Sequence, residues 1–368
     1  MHFVIFGLTV SSSWGNGHAT TWRGVLKALH RAGHRVTFFE HDVPYYAASR
    51  DLPAPEFCEL VLYDQWSDVL PRARAAVAEA DVAMVTSYCA DGLAADRLVL
   101  DAGRPLKLFY DIDTPVTLAA LEQHGIATKG GAEYLTAEVM PEFDLYLSFT
   151  GGPTLQALER RWGVRMAKPL YCSVDPEIHF PVPPVAAYGC ALSYLGTYSA
   201  DRQPSLERLL FGPAAQRPDQ RFLVAGSQYP EGIAWPANVR LLEHLPPGDH
   251  SAFYCSSRLA LNITRQAMLR TGYAPSVRLF EAASCGVPVV SDAWPGLEEF
   301  FEPGIEILVA TGPADVLAAL DRSDATLAAI GGAARERALA EHTCTVRAGQ
   351  LIEACDAAAA GNRAVLAS

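Results

Sequence analysis

The chain is predicted to be an α/β protein built of two doubly wound domains. Three observations predict it. Short apolar runs alternate with segments of helical period along both halves of the sequence. Polar or glycine-containing turns follow several of those runs, as at 11–18 and 196–202. Prolines 169, 176, 181, 183 and 184 crowd between the two alternating stretches. Alternation of this kind implies parallel sheets with helices on both faces. A length of 368 residues exceeds one ordinary core and suits two.

Each element has its own reason. Phe3–Leu8 is a continuous apolar run and reads as a buried strand. Trp22, Val25, Leu26 and Leu29 recur at helical spacing within Thr20–Ala32, and Gly33 ends that helix. Arg35–Glu40 is the second strand. Val69–Ala80 is a helix that tolerates Pro71 in its first turn. Val82–Ser87, Leu106–Asp111 and Leu145–Phe149 are further strands. Beyond the prolines come strands Ala191–Leu195, Arg221–Ala225, Val239–Leu241 and Leu259–Ile263, with a helix at Pro204–Phe211. Pro275 and Ser276 open a short helix ended by Cys285-Gly286, and the strand Val287–Ser291 follows. Ile307–Val309 is the last strand. Helices at 313–321 and 325–340 precede a final helix from about Thr345 to Ala360. The domains are thus 1–172 and 189–344, with a linker at 173–188 and a closing helix in 345–368.

Half of the residues are hydrophobic and 19% are charged, so the chain is globular. Its net charge of −12 disfavours non-specific nucleic-acid binding, which depends on neutralising phosphates. The eight cysteines form no CxxC pair and read as reduced thiols of a cytoplasmic protein. MHFVIFGLTV lacks a basic start and a cleavage site, so it reads as a strand rather than a signal peptide. No apolar run is long enough for a transmembrane segment. No His, Cys or acidic grouping has clear metal-ligand spacing, and no metal is expected.

Five constellations bear on chemistry. In Ser11-Ser12-Ser13-Trp14-Gly15-Asn16-Gly17-His18 the turn after the first strand lacks a third glycine, so a dinucleotide fingerprint fails. It is either a plain βα turn or a backbone loop approaching a substrate, with His18 as a general base. Asp111 and Asp113 form a DxD pair; metal binding, acceptor contact and helix capping before Pro115 are the readings. Gly151-Gly152 permits close backbone approach or an ordinary turn. Gly196 to Arg202 follows the first strand of the second half, and Arg202 is set against the dipole of a helix start. Arg265 and Arg278 either serve one anion or are separate surface arginines. The helix beginning at Ser276, Val277 and Arg278 carries one charged pair, Arg278 and Glu281, on an otherwise apolar surface. A helix N-terminus suits a diphosphate, and a carboxylate one turn on suits sugar hydroxyls.

SSSWGNGHAT at 11–20, FYDIDTPVTL at 109–118, LSFTGGPTLQALE at 147–159, YLGTYSADRQPSLE at 194–207, LNITRQAM at 261–268 and the 276–303 stretch together resemble a GT-B glycosyltransferase. More narrowly they resemble the spore-maturation CgeB-like group, related to family-4 enzymes. The resemblance implies two Rossmann-like domains facing across a cleft, with the closing helix crossing back to the first. It implies a nucleotide-diphosphate sugar (UDP-, GDP- or dTDP-linked) as donor substrate and no cofactor. Gly196, Arg202, Arg265 and Ser276 to Arg278 would take the diphosphate, Glu281 the ribose, and Gly15, Gly17 and His18 the sugar and acceptor. The family-4 pattern has a second Glu eight positions before the ribose Glu, and here that position is Tyr273. Retention of configuration is therefore not implied, and a His18 or Asp113 base would fit inversion.

The function expected is metal-independent sugar transfer to an acceptor whose type the motifs do not specify. Two alternatives stand beside it. One is a sugar-nucleotide 2-epimerase-like enzyme, which needs no acceptor; the other is a non-catalytic sugar-nucleotide-binding protein.

Overall fold

The computed structural model describes residues 1–14 and 17–366, with side chains at 1–14 and 19–363. The chain forms two compact units: residues 1–172 with 344–368, and residues 173–343.

The first unit contains strands β1 (His2–Gly7), β2 (Arg35–His41), β3 (Glu59–Tyr63), β4 (Val82–Thr86), β5 (Leu106–Asp111), β6 (Ile126–Lys129), β7 (Ala132–Thr136), β8 (Leu145–Ser148) and β9 (Ala167–Pro169). Seven of them make one sheet in the order β3-β2-β1-β4-β5-β8-β9, and all its pairings are parallel. Strands β6 and β7 form a separate antiparallel hairpin. Phe3, Val4, Ile5 and Phe6 are all fully buried, because a parallel sheet is covered on both faces. Phe6 stacks on Phe39 of the neighbouring strand, ring centroids 4.8 Å apart. The helix Cys344–Leu366 packs against the helix Gly17–Arg31 in this unit. Its buried face is Ala348, Leu351, Ala354, Cys355 and Ala358, spaced three and four apart.

The second unit contains β10 (Cys190–Leu195), β11 (Phe222–Ala225), β12 (Val239–Leu242), β13 (Ser257–Asn262), β14 (Val289–Asp292) and β15 (Leu308–Ala310). They form one parallel sheet in the order β12-β11-β10-β13-β14-β15. This is the doubly wound order, and it reverses between β10 and β13. Leu192, Phe222, Leu259 and Leu261 are fully buried at its centre.

The structure departs from the expected elements in several places. Strand β3, the β6–β7 hairpin and β9 were not anticipated. Glu59–Tyr63 is an edge strand with a charged first residue, and Ala167–Pro169 is a three-residue edge strand ending on proline. The helix expected at 204–211 widens into a π turn over Glu207–Phe211. Pro213 has no N–H for the carbonyl four residues earlier, which removes one α-helical bond there. The expected linker is no free tether. Val174 bridges Thr343, Ser284 Oγ donates to the His179 carbonyl at 2.6 Å, and Val185 N donates to Ser256 Oγ at 2.8 Å. No described helix is long and apolar enough to cross a membrane.

Candidate functional site

In doubly wound sheets, ligands bind beyond the carboxyl ends of the strands where the order reverses. In the second unit that place lies between β10 and β13. The chain leaves β10 at Leu195 into Gly196, and leaves β13 at Asn262 into Thr264 and Arg265.

Arg278 ties these two strand ends together. It is 7% exposed. Its Nε donates to the Leu195 carbonyl, and its Nη1 donates to Asn262 Oδ1 at 2.8 Å. Its guanidinium lies over the Tyr194 ring, 4.7 Å from the centroid. Gly196 passes directly over this arrangement. A Cβ there would lie 2.7 Å from Tyr194 Oη and 2.8 Å from Arg278 Nη2, so only glycine fits without displacement. The guanidinium of Arg278, expected at the diphosphate, is thus engaged by Leu195, Asn262 and Tyr194.

Ser276 is the N-cap residue of the helix Val277–Ser284, but its side chain makes no capping bond. Its hydroxyl donates instead to Asn262 Oδ1 at 2.9 Å. The first-turn N–H groups therefore lack a side-chain cap, the condition that suits an anion. Asn262 is fully buried and also donates to Ser291 Oγ at 2.9 Å. Asp292 accepts from Thr264 N and Oγ1, both at 2.8 Å, and fixes the loop after β13.

The other two arginines lie in the loops after β10 and β13. Arg202 Nη2 donates to the Thr197 carbonyl at 2.6 Å. Arg265 Nε is 3.9 Å from Asp201 Oδ2, which also accepts from Gln266 N at 3.0 Å. Asp201 is desolvated, yet its bonds to Ser199 and Gln266 and the two arginines hold its carboxyl below the usual range. Tyr229 Oη donates to the Gly196 carbonyl at 3.0 Å. The structure thus brings Gly196, Arg202, Arg265, Ser276, Val277 and Arg278 to one end of the second sheet.

Glu281, expected at the ribose, lies one turn on from Arg278 in the helix Val277–Ser284. It is 4% exposed. Its Oε2 accepts from Tyr254 Oη at 3.1 Å, and its Oε1 faces His179. The helix is buried on every side over 278–284, so a residue one turn on from Arg278 points into the interior. Tyr273, in the loop before this helix, has φ 51°, a left-handed conformation rare for such a residue. Its ring sits where a Cβ on Gly296 would come within 2.4 Å.

In the first unit, Glu40 organises the turn after β1. It is fully buried and accepts from Thr9 Oγ1 and Val10 N, both at 2.7 Å, and from Ser11 N at 3.0 Å and Ser11 Oγ at 2.5 Å. Ser13 N donates to Asp51 at 3.0 Å, and Arg23 holds Asp51 through two bonds of 2.8 and 2.7 Å. Gly15 and Asn16 lie outside the described residues, as do the side chains at Gly17 and His18, whose backbone begins the first helix.

Asp111 and Asp113 are internal. Asp111 is fully buried and accepts from Tyr146 Oη and Thr117 Oγ1, both at 2.8 Å. Asp113 is 7% exposed, stands at the N-cap of Thr114–His124, and accepts from Tyr88 Oη at 2.6 Å. Tyr88 has φ 69°, held by that bond and by edge-on packing with Tyr134. Gly151 lies over Tyr171, whose hydroxyl oxygen a Cβ would overlap.

Sequence reasoning did not single out His41. It ends β2, and its Nδ1 is 2.8 Å from Asp91 Oδ2. Tyr63 Oη donates to the same oxygen at 2.9 Å. A carboxylate on Nδ1 leaves Nε2 as the proton acceptor. His41 lies one residue past the strand expected at Arg35–Glu40, and Asp91 follows the strand expected at Val82–Ser87.

The family model described as glycosyl transferase-like matches residues 202–353. No curated protein sequence matches the chain. Solved structures with the same fold include the sucrose-phosphate synthase (tll1590) of Thermosynechococcus elongatus, at 15% identity and TM-score 0.66 with all of both chains covered. Anabaena Alr3699/HepE, solved with UDP and glucose, is 13% identical with TM-score 0.68, covering 97% of this chain and 100% of that one. An alpha-glucosyltransferase, solved with UDP-glucose and DNA containing an abasic site, is 11% identical with TM-score 0.72, covering 97% of this chain and 99% of that one. The chain has the GT-B fold, and its residues 202–353 match the glycosyl transferase-like family model.

Proposed function

We propose that the protein is a hexosyltransferase that moves a sugar from a nucleotide-diphosphate donor to an acceptor, of the CgeB-like kind. One observation carries the reading. The uncapped helix start at Ser276 lies beyond β10 and β13 where the second sheet reverses, and Arg202 and Arg265 lie in the loops that follow those two strands. In this reading the diphosphate lies along Gly196 and Ser276, where backbone N–H groups and two guanidinium groups meet its charge. As the glycosidic bond breaks, negative charge grows on the leaving diphosphate. Arg202 and Arg265 stabilise it in the role that a metal fills elsewhere. Arg278 holds the seat rigid from below.

The acceptor hydroxyl must lose a proton. His18 has the position for this by resemblance, and His41 has an orienting carboxylate in Asp91. UDP is the first donor nucleotide to test, because HepE was solved with UDP and glucose and the alpha-glucosyltransferase with UDP-glucose.

Calorimetric titration with UDP, GDP, dTDP and ADP tests the donor seat. Binding of one of them, weakened at least tenfold in the double variant Arg202→Ala, Arg265→Ala, is the expected result. Equal affinity in that variant removes the arginines from the site. Product analysis with donor sugar alone separates transfer from epimerisation, since an epimerase alters the sugar without an acceptor.

A further inference from the structure

Away from the Gly196 cluster, three side chains of the second unit converge. His179 comes from the proline-rich run, His250 begins the helix His250–Cys255, and Glu281 belongs to the helix Val277–Ser284. One nitrogen of each histidine and one Glu281 oxygen lie within 4.8 Å of one another. His179 is 1% exposed, and neither ring nitrogen has a hydrogen-bond partner; Nδ1 of His250 is likewise buried and unbonded. A buried polar group left without a partner is costly. One nitrogen from each ring gathers near the same carboxylate oxygen, and that grouping needs an explanation.

The spacing suggests what fills it. His179 Nε2 is 3.6 Å from Glu281 Oε1, too long for a hydrogen bond. Two ligands on a tetrahedral zinc, with bonds of about 2.0–2.2 Å, lie about 3.3–3.6 Å apart. We propose that His179, His250 and Glu281 bind a zinc-class divalent cation, leaving a fourth position for water.

The surroundings fit this set. Tyr254 Oη donates to Glu281 Oε2 and leaves Oε1 toward the histidines. Ser284 Oγ fixes the His179 backbone, and the His250 ring has a hydrogen bond with the Leu245 backbone. Such outer contacts orient metal ligands. The ligands are 71 and 31 residues apart in sequence, which is why no spacing motif announces them. Glu281 shares the helix Val277–Ser284 with the proposed diphosphate seat, but none of the seat's residues is among the three ligands. Bound there, the ion would staple the proline-rich run to two helices.

The test uses the full-length, untagged protein, stripped with chelator and titrated with Co²⁺ and then Zn²⁺. One equivalent of Co²⁺ is expected to give visible ligand-field absorption of a four- or five-coordinate site, displaced by Zn²⁺. His250→Gln and His179→Gln are each expected to weaken binding by at least about tenfold. His250 is only partly buried, so its variant should keep the wild-type circular dichroism spectrum and serve as the folded control. No Co²⁺ absorption by folded wild type at millimolar cobalt, or unchanged affinity in folded His250→Gln, overturns the proposal and leaves a plain His179–Glu281 ion pair.

Discussion

Arg278 and Tyr194 are stacked, with the guanidinium carbon 4.7 Å from the ring centroid, and the same arginine bonds the ends of two neighbouring strands. The planar fork matters here more than the charge. Arg278→Lys keeps the charge but cannot reach Leu195 and Asn262 together while covering the ring. It is expected to lower stability by about 1–3 kcal/mol, read as a reduced urea midpoint at unchanged slope. Retained stability would mean that the two strand ends are held by the sheet alone.

Gly196→Ala places a methyl group against Tyr194 and Arg278 at distances below van der Waals contact. The loop must lift or the arginine must shift. A loss of about 1–3 kcal/mol is expected, together with weaker nucleotide binding by calorimetry.

Arg202→Ala is expected to lower kcat by about 10–100-fold while changing donor affinity less, because its proposed partner is charge that develops during bond cleavage. Steady-state kinetics over a donor series checks this. A pure rise in KM would assign Arg202 to ground-state binding instead.

The buried Glu40 carboxylate satisfies four donors of the turn after β1. Glu40→Ala leaves them unpaired in the interior and is expected to cost about 3–5 kcal/mol in stability. Glu40→Gln keeps an acceptor and should cost less. Thermal melting of the two variants beside wild type gives the order directly.

Asp111 supplies a pH dependence. Burial pushes its carboxyl up to about 6 from 3.8, against hydrogen bonds from Tyr146 and Thr117. Between those values the folded chain holds a proton that the unfolded chain has released. The contribution of this group is therefore complete below about pH 4 and is lost as pH rises through about 6. Asp111→Asn cannot ionise and should flatten the profile there, by about 2–3 kcal/mol. Denaturation midpoints at pH 4.5 and 7.5, as roughly chosen ends of the window, provide the comparison.

Much of the fold was legible because parallel strands buried on both faces read as unbroken apolar runs. Phe3–Phe6 and Leu259–Leu261 are examples, and each stops at a polar or glycine turn. Strands β3 and β9 lie at sheet edges, where a charged residue or a proline is tolerated and the apolar signal fades. The helix start at Ser276 was readable from its lone charged pair. The direction of that pair was not: Arg278 reaches back to the strand ends, while Glu281, one turn on, turns inward to Tyr254. His179 lies in a run whose prolines suggested only a linker, and His41 one residue past the strand Arg35–Glu40. Both depend on contacts between segments distant in sequence, which local spacing does not encode.

The first unit is discontinuous: residues 344–368 complete it only after the whole of residues 173–343. During synthesis the Gly17–Arg31 helix therefore waits for its packing partner, on the order of 15 to 65 s at roughly 5–20 residues per second. The second unit, uninterrupted in sequence, is finished first. A nascent chain stopped short of Cys344 would carry a closed second unit and an open first one, with the face that Leu351 and Ala354 cover left to water or to a chaperone.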